Sequence, residues 1–345
     1  MLKISLLSVA SLFLFNSSFF FTHAAEIKCN SDNNIRLGIN AHLANQSSEY
    51  VDTAINKMKS LGMEIVRFDA SWKFVEVKKG EYSIPEKWDQ LINKLNHNGI
   101  EPLIILDYGN KYYNNGDKPI SDSDRDAFKR YVAFLVNHFK GKVKYYQIWN
   151  EWNGKVGNTT PGDVESYKVL VKSVYPIIKQ ADPNSLVIVS SFSSAEFNKM
   201  LGIGHEDYLK SFLTPDMANF TDILSIHPYT MYRKPPYNGY NTYMKQVDYA
   251  VNLISANPLF NKKPLFITEI GWSTSSGKVG VTESEQREYI NRAISYAAKV
   301  RIKAIIFYEL RDASSNKFDV ESNFGFFNSS WQQKSISSNM LYRKC

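Results

Sequence analysis

Apolar and polar positions along this chain follow two alternating periods. Eight short runs read as buried strands, at residues 35–42, 64–72, 101–108, 143–149, 185–191, 223–229, 264–269 and 304–309. Each is rich in Val, Ile, Leu, Phe or Tyr and is bounded by polar or turn residues. Between them apolar residues recur three and four apart, which predicts helices over 50–61, 87–98, 124–139, 163–180, 240–255 and 283–299. In the first of these Val51, Ile55, Met58 and Leu61 share a face; in the second Trp88, Leu91, Ile92 and Leu95 do. Weaker helical patterns lie at 207–213 and, short and polar, at 332–343.

Boundary residues agree with this division. Gly62 and Gly99 follow two helical runs, where a left-handed residue commonly ends a helix. Thr282 with Glu285 three residues on has the form of a capping box. Pro183 ends the run before it, because proline disfavours α geometry at the preceding residue. Eight strands, each followed by a helix or the space for one, predict a single (β/α)8 TIM barrel of the α/β class. The longest loops, 110–121, 231–239, 273–280 and 311–325, all follow strands. That is the side on which such barrels build their sites. No repeat of fixed period and no Pro/Ser/Gly linker divides the chain, so residues 26–345 read as one domain.

Two of the strand ends carry the chemistry. The fourth leaves through Trp149-Asn150-Glu151-Trp152, and the seventh through Thr268-Glu269-Ile270-Gly271-Trp272. Either glutamate alone is more often a surface or ion-paired residue. At equivalent points of two strands, 118 positions apart (269 minus 151), they suggest an acid pair at one barrel mouth. A carboxyl against indoles is expected to have a raised pKa and to serve as a proton donor near neutrality. Hydrolysis of a glycosidic bond needs such a donor and a second carboxylate across the anomeric carbon.

Residues 1–25 read as a secretory signal, with Lys3, an apolar stretch and Ala24-Ala25 for cleavage; an uncleaved anchor is the alternative. Cleavage would leave 320 residues (345 minus 25) with a net charge of about +6 (40 minus 34). The excess is scattered without a Lys/Arg block, which argues against nucleic acid and weakly for an anionic polysaccharide. Cys29 and Cys345 are the only cysteines. In an exported chain they are expected to form a disulfide joining the two ends, with two free thiols as the alternative. No pair of histidines has metal-ligand spacing, and neither a Gly-x-Gly-x-x-Gly nor a Gly-x-Ser-x-Gly motif is present. The expectation is therefore no metal and no cofactor.

With these residues placed, the chain resembles clan A of the glycoside hydrolases over nearly all of its length after residue 25. In that clan the acid/base is the Glu of an Asn-Glu pair ending strand four, and the nucleophile is a Glu ending strand seven. Asn150-Glu151 and Glu269 fill those places. Within the clan it is most similar to family 39-like proteins, which include secreted endoglycosidases of bacterial exopolysaccharides. That resemblance rests on Leu37-Gly38-Ile39-Asn40-Ala41-His42, Val66-Arg67-Phe68-Asp69, the 103–110 segment and Phe307-Tyr308-Glu309-Leu310-Arg311-Asp312. It departs at strand eight, where many members carry a Trp beneath the reacting sugar and this chain has Tyr308-Glu309.

The resemblance implies a retaining β-glycosidase with Glu151 as acid/base and Glu269 as nucleophile; from residues 1–25 a secreted or periplasmic location is expected, and a monomer is expected. Asn150 would bind the sugar 2-hydroxyl and Tyr229 would orient Glu269. Arg67 would keep Glu269 ionised. His42, Tyr108, Trp152, His227, Trp272 and Glu309 would contact substrate, with Tyr112, Tyr113, Tyr232 and Asp107 also at strand ends. The expected reaction is internal cutting of a polysaccharide. The alternatives are an exo-acting β-xylosidase-like enzyme and a carbohydrate-binding barrel without activity.

Overall fold

The computed structural model describes residues 35–155, 160–300 and 302–336. The 1–25 segment, Cys29 and Cys345 lie outside these residues. Eight parallel strands close into a barrel in sequence order: β1 (Arg36–Asn40), β2 (Ile65–Asp69), β3 (Glu101–Leu106), β4 (Tyr145–Ile148), β5 (Leu186–Phe192), β6 (Ile223–Ile226), β7 (Leu265–Ile270) and β8 (Ala304–Phe307). Around them run α1 (Ser48–Ser60), α2 (Trp72–Val75), α3 (Glu86–His97), α4 (Asp122–His138), α5 (Val164–Ala181), α6 (Asn198–Leu201), α7 (Tyr208–Phe212), α8 (Tyr240–Ala256) and α9 (Glu283–Lys299).

Local chemistry explains the helix ends. Ser47, Ser121 and Asp163 each accept a backbone N–H from the first turn of α1, α4 and α5, and Thr282 with Glu285 closes the capping box of α9. Gly62 and Gly99 take the left-handed conformation, with φ of 70° and 71°. The expected buried face of α3, Trp88, Leu91, Ile92 and Leu95, packs on the barrel wall.

Strand alternation sorts the side chains into two cores. Val66, Ile104, Tyr146, Ile148 and Ile267 point outward to the helices. Ile65, Leu103, Tyr145, Ile188, Ile223, Phe266, Ala304 and Ile306 fill the barrel's lower interior. Below them Arg36 bonds Glu101 at 2.5 Å and the Tyr145 hydroxyl at 2.7 Å, closing the floor. Gly38 belongs to this packing. A Cβ there would stand 2.9 Å from Ile306 Cγ1 and 3.0 Å from the Ile65 carbonyl. Gly38→Ala is therefore expected to cost about 1–3 kcal/mol of stability by overpacking, read as a lower urea midpoint at unchanged m-value.

The structure differs from the sequence reading at several strand ends and in two helical segments. Trp72 opens α2 instead of ending β2, which stops at Asp69. The fifth βα crossover holds two short helices, α6 and α7. Residues 332–336 are not helical: Gln333 bridges to Phe327, and the Lys334 ammonium bonds the buried Asp312 carboxylate at 2.7 Å. Neutralising that buried acid holds the segment extended against the loop after β8.

Candidate active site

Every strand sends a polar or aromatic side chain into the mouth at its C-terminal end. The cavity there measures about 430 Å³ and is lined by Asn40, Arg67, Tyr108, Asn150, Glu151, Ser193, Tyr229, Glu269 and Tyr308, among others. This lies within the size range of small-ligand pockets.

Two irregularities put the glutamates there. On β4, Tyr145 and Gln147 face the interior, so strict alternation would turn Trp149 inward as well. Trp149 instead has φ of 63° and packs its indole on Phe128 of α4, leaving the inward place to Asn150. Glu151 follows with φ of 48°. Left-handed non-glycine residues cost on the order of 1–3 kcal/mol each and gather at functional sites. On β7, Leu265 and Ile267 face the helices, and position 269 would follow them. A register shift between Ile267 and Ile270 re-aims Glu269 into the mouth.

Arg67 organises the floor. It is 2% exposed and reaches three other strands: Nε donates to Gln147 Oε1 (2.9 Å), Nη1 to Asn40 Oδ1 (2.7 Å) and Glu269 Oε1 (2.6 Å), and Nη2 to Asn150 Oδ1 (2.8 Å). Tyr229 donates its hydroxyl to Glu269 Oε2 at 3.2 Å. Burial pushes the Glu269 carboxyl up, but the neighbouring His227 and Arg67 outweigh it and hold its pKa below the ordinary value. Across the mouth Glu151 Oε1 lies 2.9 Å from His227 Nδ1, whose Nε2 is 2.9 Å from Thr268 Oγ1. One oxygen from each glutamate and one nitrogen of His227 all lie within 4.8 Å of one another. These are metal-ligand residue types. However, Arg67 and Tyr229 already occupy the Glu269 oxygens, so a cation there would face the guanidinium.

A second network flanks the pocket. His42 stands between Asp69 (3.7 Å) and Glu309 (3.4 Å); the Asp69 contact, then Glu309, pushes its pKa up to about 10. Behind Asp69 lies Asp107, fully buried and lifted well above the usual carboxylate range by burial and by Asp69. Burial also raises Glu309, more than His42 lowers it.

Sequence reasoning placed Glu151, Glu269, Asn150, Arg67, Tyr229, Tyr108 and His42 in this mouth, and the structure brings them together. Other assignments need correction. Trp152 and Trp272 are 1% and 3% exposed and pack in the outer core, on Tyr167 and on Tyr243 with Tyr289. The loops leave β4 and β7 toward the helices, so neither indole is a sugar platform. What faces the Glu151 carboxylate is His227. His227 has no exposed surface and bonds Glu151 and Thr268, which makes it a positioning residue. Glu309 and Asp107 sit behind His42 and Asp69 and do not line the cavity. Tyr113 stacks on Trp72 and Tyr112 bonds the Val77 carbonyl. Tyr232 does line the mouth and donates to Glu321 across the rim.

Sequence reasoning assigned no site role to Asp69, Gln147, Thr268 or Ser193. Gln147 and Asp69 were findable as polar residues at inward positions of apolar strands. Tyr308, joined to Glu309 by a cis peptide bond, lines the pocket where the clan commonly has Trp. The cavity lining is acidic: among its described residues Asp69, Glu151, Glu269 and Glu321 outnumber Arg67 and His42, with His227 behind Glu151. The chain's basic excess lies elsewhere.

Comparison with known proteins agrees with this geometry. A solved family 39 glycoside hydrolase from Bacteroides cellulosilyticus superposes with a TM-score of 0.68 at 22% identity, over 88% of this chain and 62% of that one. A β-xylosidase from Caulobacter crescentus gives 0.66 at 18% identity over 88% and 66%, and a GH5_18 protein from Bifidobacterium longum subsp. infantis gives 0.68 at 14% over 89% and 78%. At these identities the likeness shows the fold. A 6-phospho-β-glucosidase from Clostridium longisporum is 28% identical over 110 residues, 30% of this chain and 23% of that protein. The chain thus spans less than two thirds of that relative and of the family 39 structure. The cellulase family model, glycosyl hydrolase family 5, matches residues 30–312. The chain belongs to glycosyl hydrolase family 5, and with it to clan A of the glycoside hydrolases.

Proposed function

We propose that this chain is an exported retaining β-glycosidase that cuts a polysaccharide internally, with Glu269 as nucleophile and Glu151 as acid and then base. The observation that carries the reading is the spacing of two carboxylates from β4 and β7, whose oxygens approach within 4.8 Å across one mouth. Inverting enzymes separate their carboxyl groups by about 6.5–9.5 Å to seat a water, whereas retaining ones need about 5–5.5 Å. With one oxygen of each within 4.8 Å of the other, the pair is closer to the retaining spacing.

The steps follow from the environments. Glu269, held ionised by Arg67, attacks the anomeric carbon as the glycosidic C–O bond breaks. Glu151 gives its proton to the leaving oxygen. Water then enters on the vacated face and gives a proton to Glu151, and its oxygen displaces Glu269, restoring both groups. Asn150, fixed by Arg67 and by donating to the Tyr108 hydroxyl at 3.0 Å, lines the same cavity and is the proposed partner of the sugar 2-hydroxyl. No helix among the described residues is long and apolar enough to cross a membrane.

Glu151→Ala tests the assignment. Hydrolysis of natural glycosides is expected to fall about 10²–10⁴-fold, and that of aryl glycosides with acidic leaving groups much less, because those need no proton. Equal losses on both substrates would remove the acid role. The Tyr232–Glu321 contact, which closes the rim between the loops after β6 and β8, favours a second, exo-acting reading. Product size separates the two: oligosaccharides in the earliest samples support internal cutting, and monosaccharide alone supports the exo mode.

A further inference from the structure

On the far side of Tyr108 from the glutamates lies a second cavity of about 620 Å³. Tyr108 lines both, so the two cavities are neighbours on either side of its side chain. The walls are the loops after β2 and β3, tied together. Asn110 Nδ2 donates to the Glu76 carbonyl at 2.8 Å and the Tyr112 hydroxyl to the Val77 carbonyl at 3.0 Å. Gly109 lets the second loop fold back on itself, since a Cβ there would stand 2.1 Å from the Gly116 carbonyl oxygen.

The charge of this cavity is opposite to that of the mouth. Lys73 and Lys111 are exposed in its wall, and among the described residues neither ammonium has a carboxylate partner. They rest over the Phe74 and Tyr112 rings at 5.1 Å. The one acid in the wall, Glu76, is already engaged: it is 1% exposed and accepts from Trp72 Nε1, the Gly80 N–H and the Tyr113 hydroxyl, each at 2.6 Å. The surface charge therefore turns from negative to positive across Tyr108. Phe74, 38% exposed, lines the cavity beneath the Lys73 ammonium.

We propose that this cavity is a subsite for a carboxylate-bearing sugar unit, such as a uronic acid, lying along the chain from the bond that is cut. The inference rests on the polysaccharide hydrolase reading and extends it. An acidic mouth disfavours a negative charge on the reacting sugar, and the basic cavity supplies its counter-charge further along. A neutral chain would leave both lysines without a role. Because both charges are exposed, their contribution should fade as salt is raised.

The test uses Glu269→Gln protein, which is expected to hold sugar chains without cutting them, on a panel of oligosaccharides in matched pairs. Each carboxylate-bearing member is paired with its carboxyl-reduced form. At low ionic strength the carboxylated members should bind about tenfold more tightly, and Lys73→Ala with Lys111→Ala in the same protein should abolish that preference. Thermal unfolding checks that the lysine variant is folded. Equal binding of the paired forms, a preference that survives loss of both lysines, or no retained glycan would each overturn the subsite. Turnover of aryl glycosides by the protein with Glu269 intact is measured separately. Its absence, with the carboxylate preference retained, would refute the hydrolase reading and leave the subsite standing.

Discussion

Glutamine at position 269 should leave a folded, sugar-binding protein whose kcat/KM is lower by on the order of 10⁴ or more. The substitution is nearly isosteric. The amide oxygen can keep the bond from Arg67 Nη1, and the amide N–H can donate to Tyr229, whose hydroxyl then accepts. What disappears is the charge. A carboxamide does not form the glycosyl-enzyme bond, and nothing else within reach of the anomeric carbon on that face does so. Steady-state rates on an aryl glycoside, with calorimetric binding of an oligosaccharide, check the two halves of the expectation. A second variant separates nucleophile from acid. With Glu269→Gly, added azide can enter on the face the carboxylate vacated and give a glycosyl azide of inverted configuration. With Glu151→Ala the azide instead displaces Glu269 and gives the retained one. Loss of less than tenfold in Glu269→Gln, or azide products of the same configuration from both variants, would take the nucleophile's role from Glu269.

The barrel was legible because its strands are buried on both faces and its helices on one, and those two conditions write different periods. Asn150-Glu151 and Glu269 were legible for a related reason: a polar group ending an apolar run must find partners, and at the top of a closed barrel those partners are other strand ends. Periodicity does not record which way a strand end turns. Trp149 flips outward through one left-handed residue, and Glu269 flips inward through a register shift. Trp152 and Trp272 read as platforms because an aromatic after a strand looks the same whether the loop bends toward the axis or toward the helices. The basic cavity was hidden for another reason. Lys73 and Lys111 come from different segments, which bonds such as those from Asn110, Tyr112 and Tyr113 bring together. Net charge showed a basic chain and concealed an acidic mouth.

Arg67→Met should destabilise the protein by about 3–5 kcal/mol and shift the acidic limb of its pH–rate profile upward. Both effects come from one fact: a guanidinium only 2% exposed is the shared donor for Asn40, Gln147, Asn150 and Glu269. Removing it strands a charged carboxylate beside three unpaired side-chain acceptors, and breaking one partner of a buried ion pair costs about that much. The pH dependence has a definite sign. Glu269 has a folded-state pKa below its ordinary value. Its contribution to stability is therefore complete above the unfolded value of about 4.3 and is lost as pH falls through the lower folded one. The stability gap between parent and variant should accordingly be widest near neutrality and narrow in acid. In kcat/KM the nucleophile must be ionised, so without Arg67 the acidic limb moves to higher pH. Lysine at this position should restore little, since a single ammonium cannot span β1, β4 and β7 as the planar fork does. Urea unfolding at several pH values and a kcat/KM profile on an aryl glycoside read both effects. A variant with lost stability but an unmoved acidic limb would make Arg67 a strut of the barrel with no hold on the nucleophile's charge.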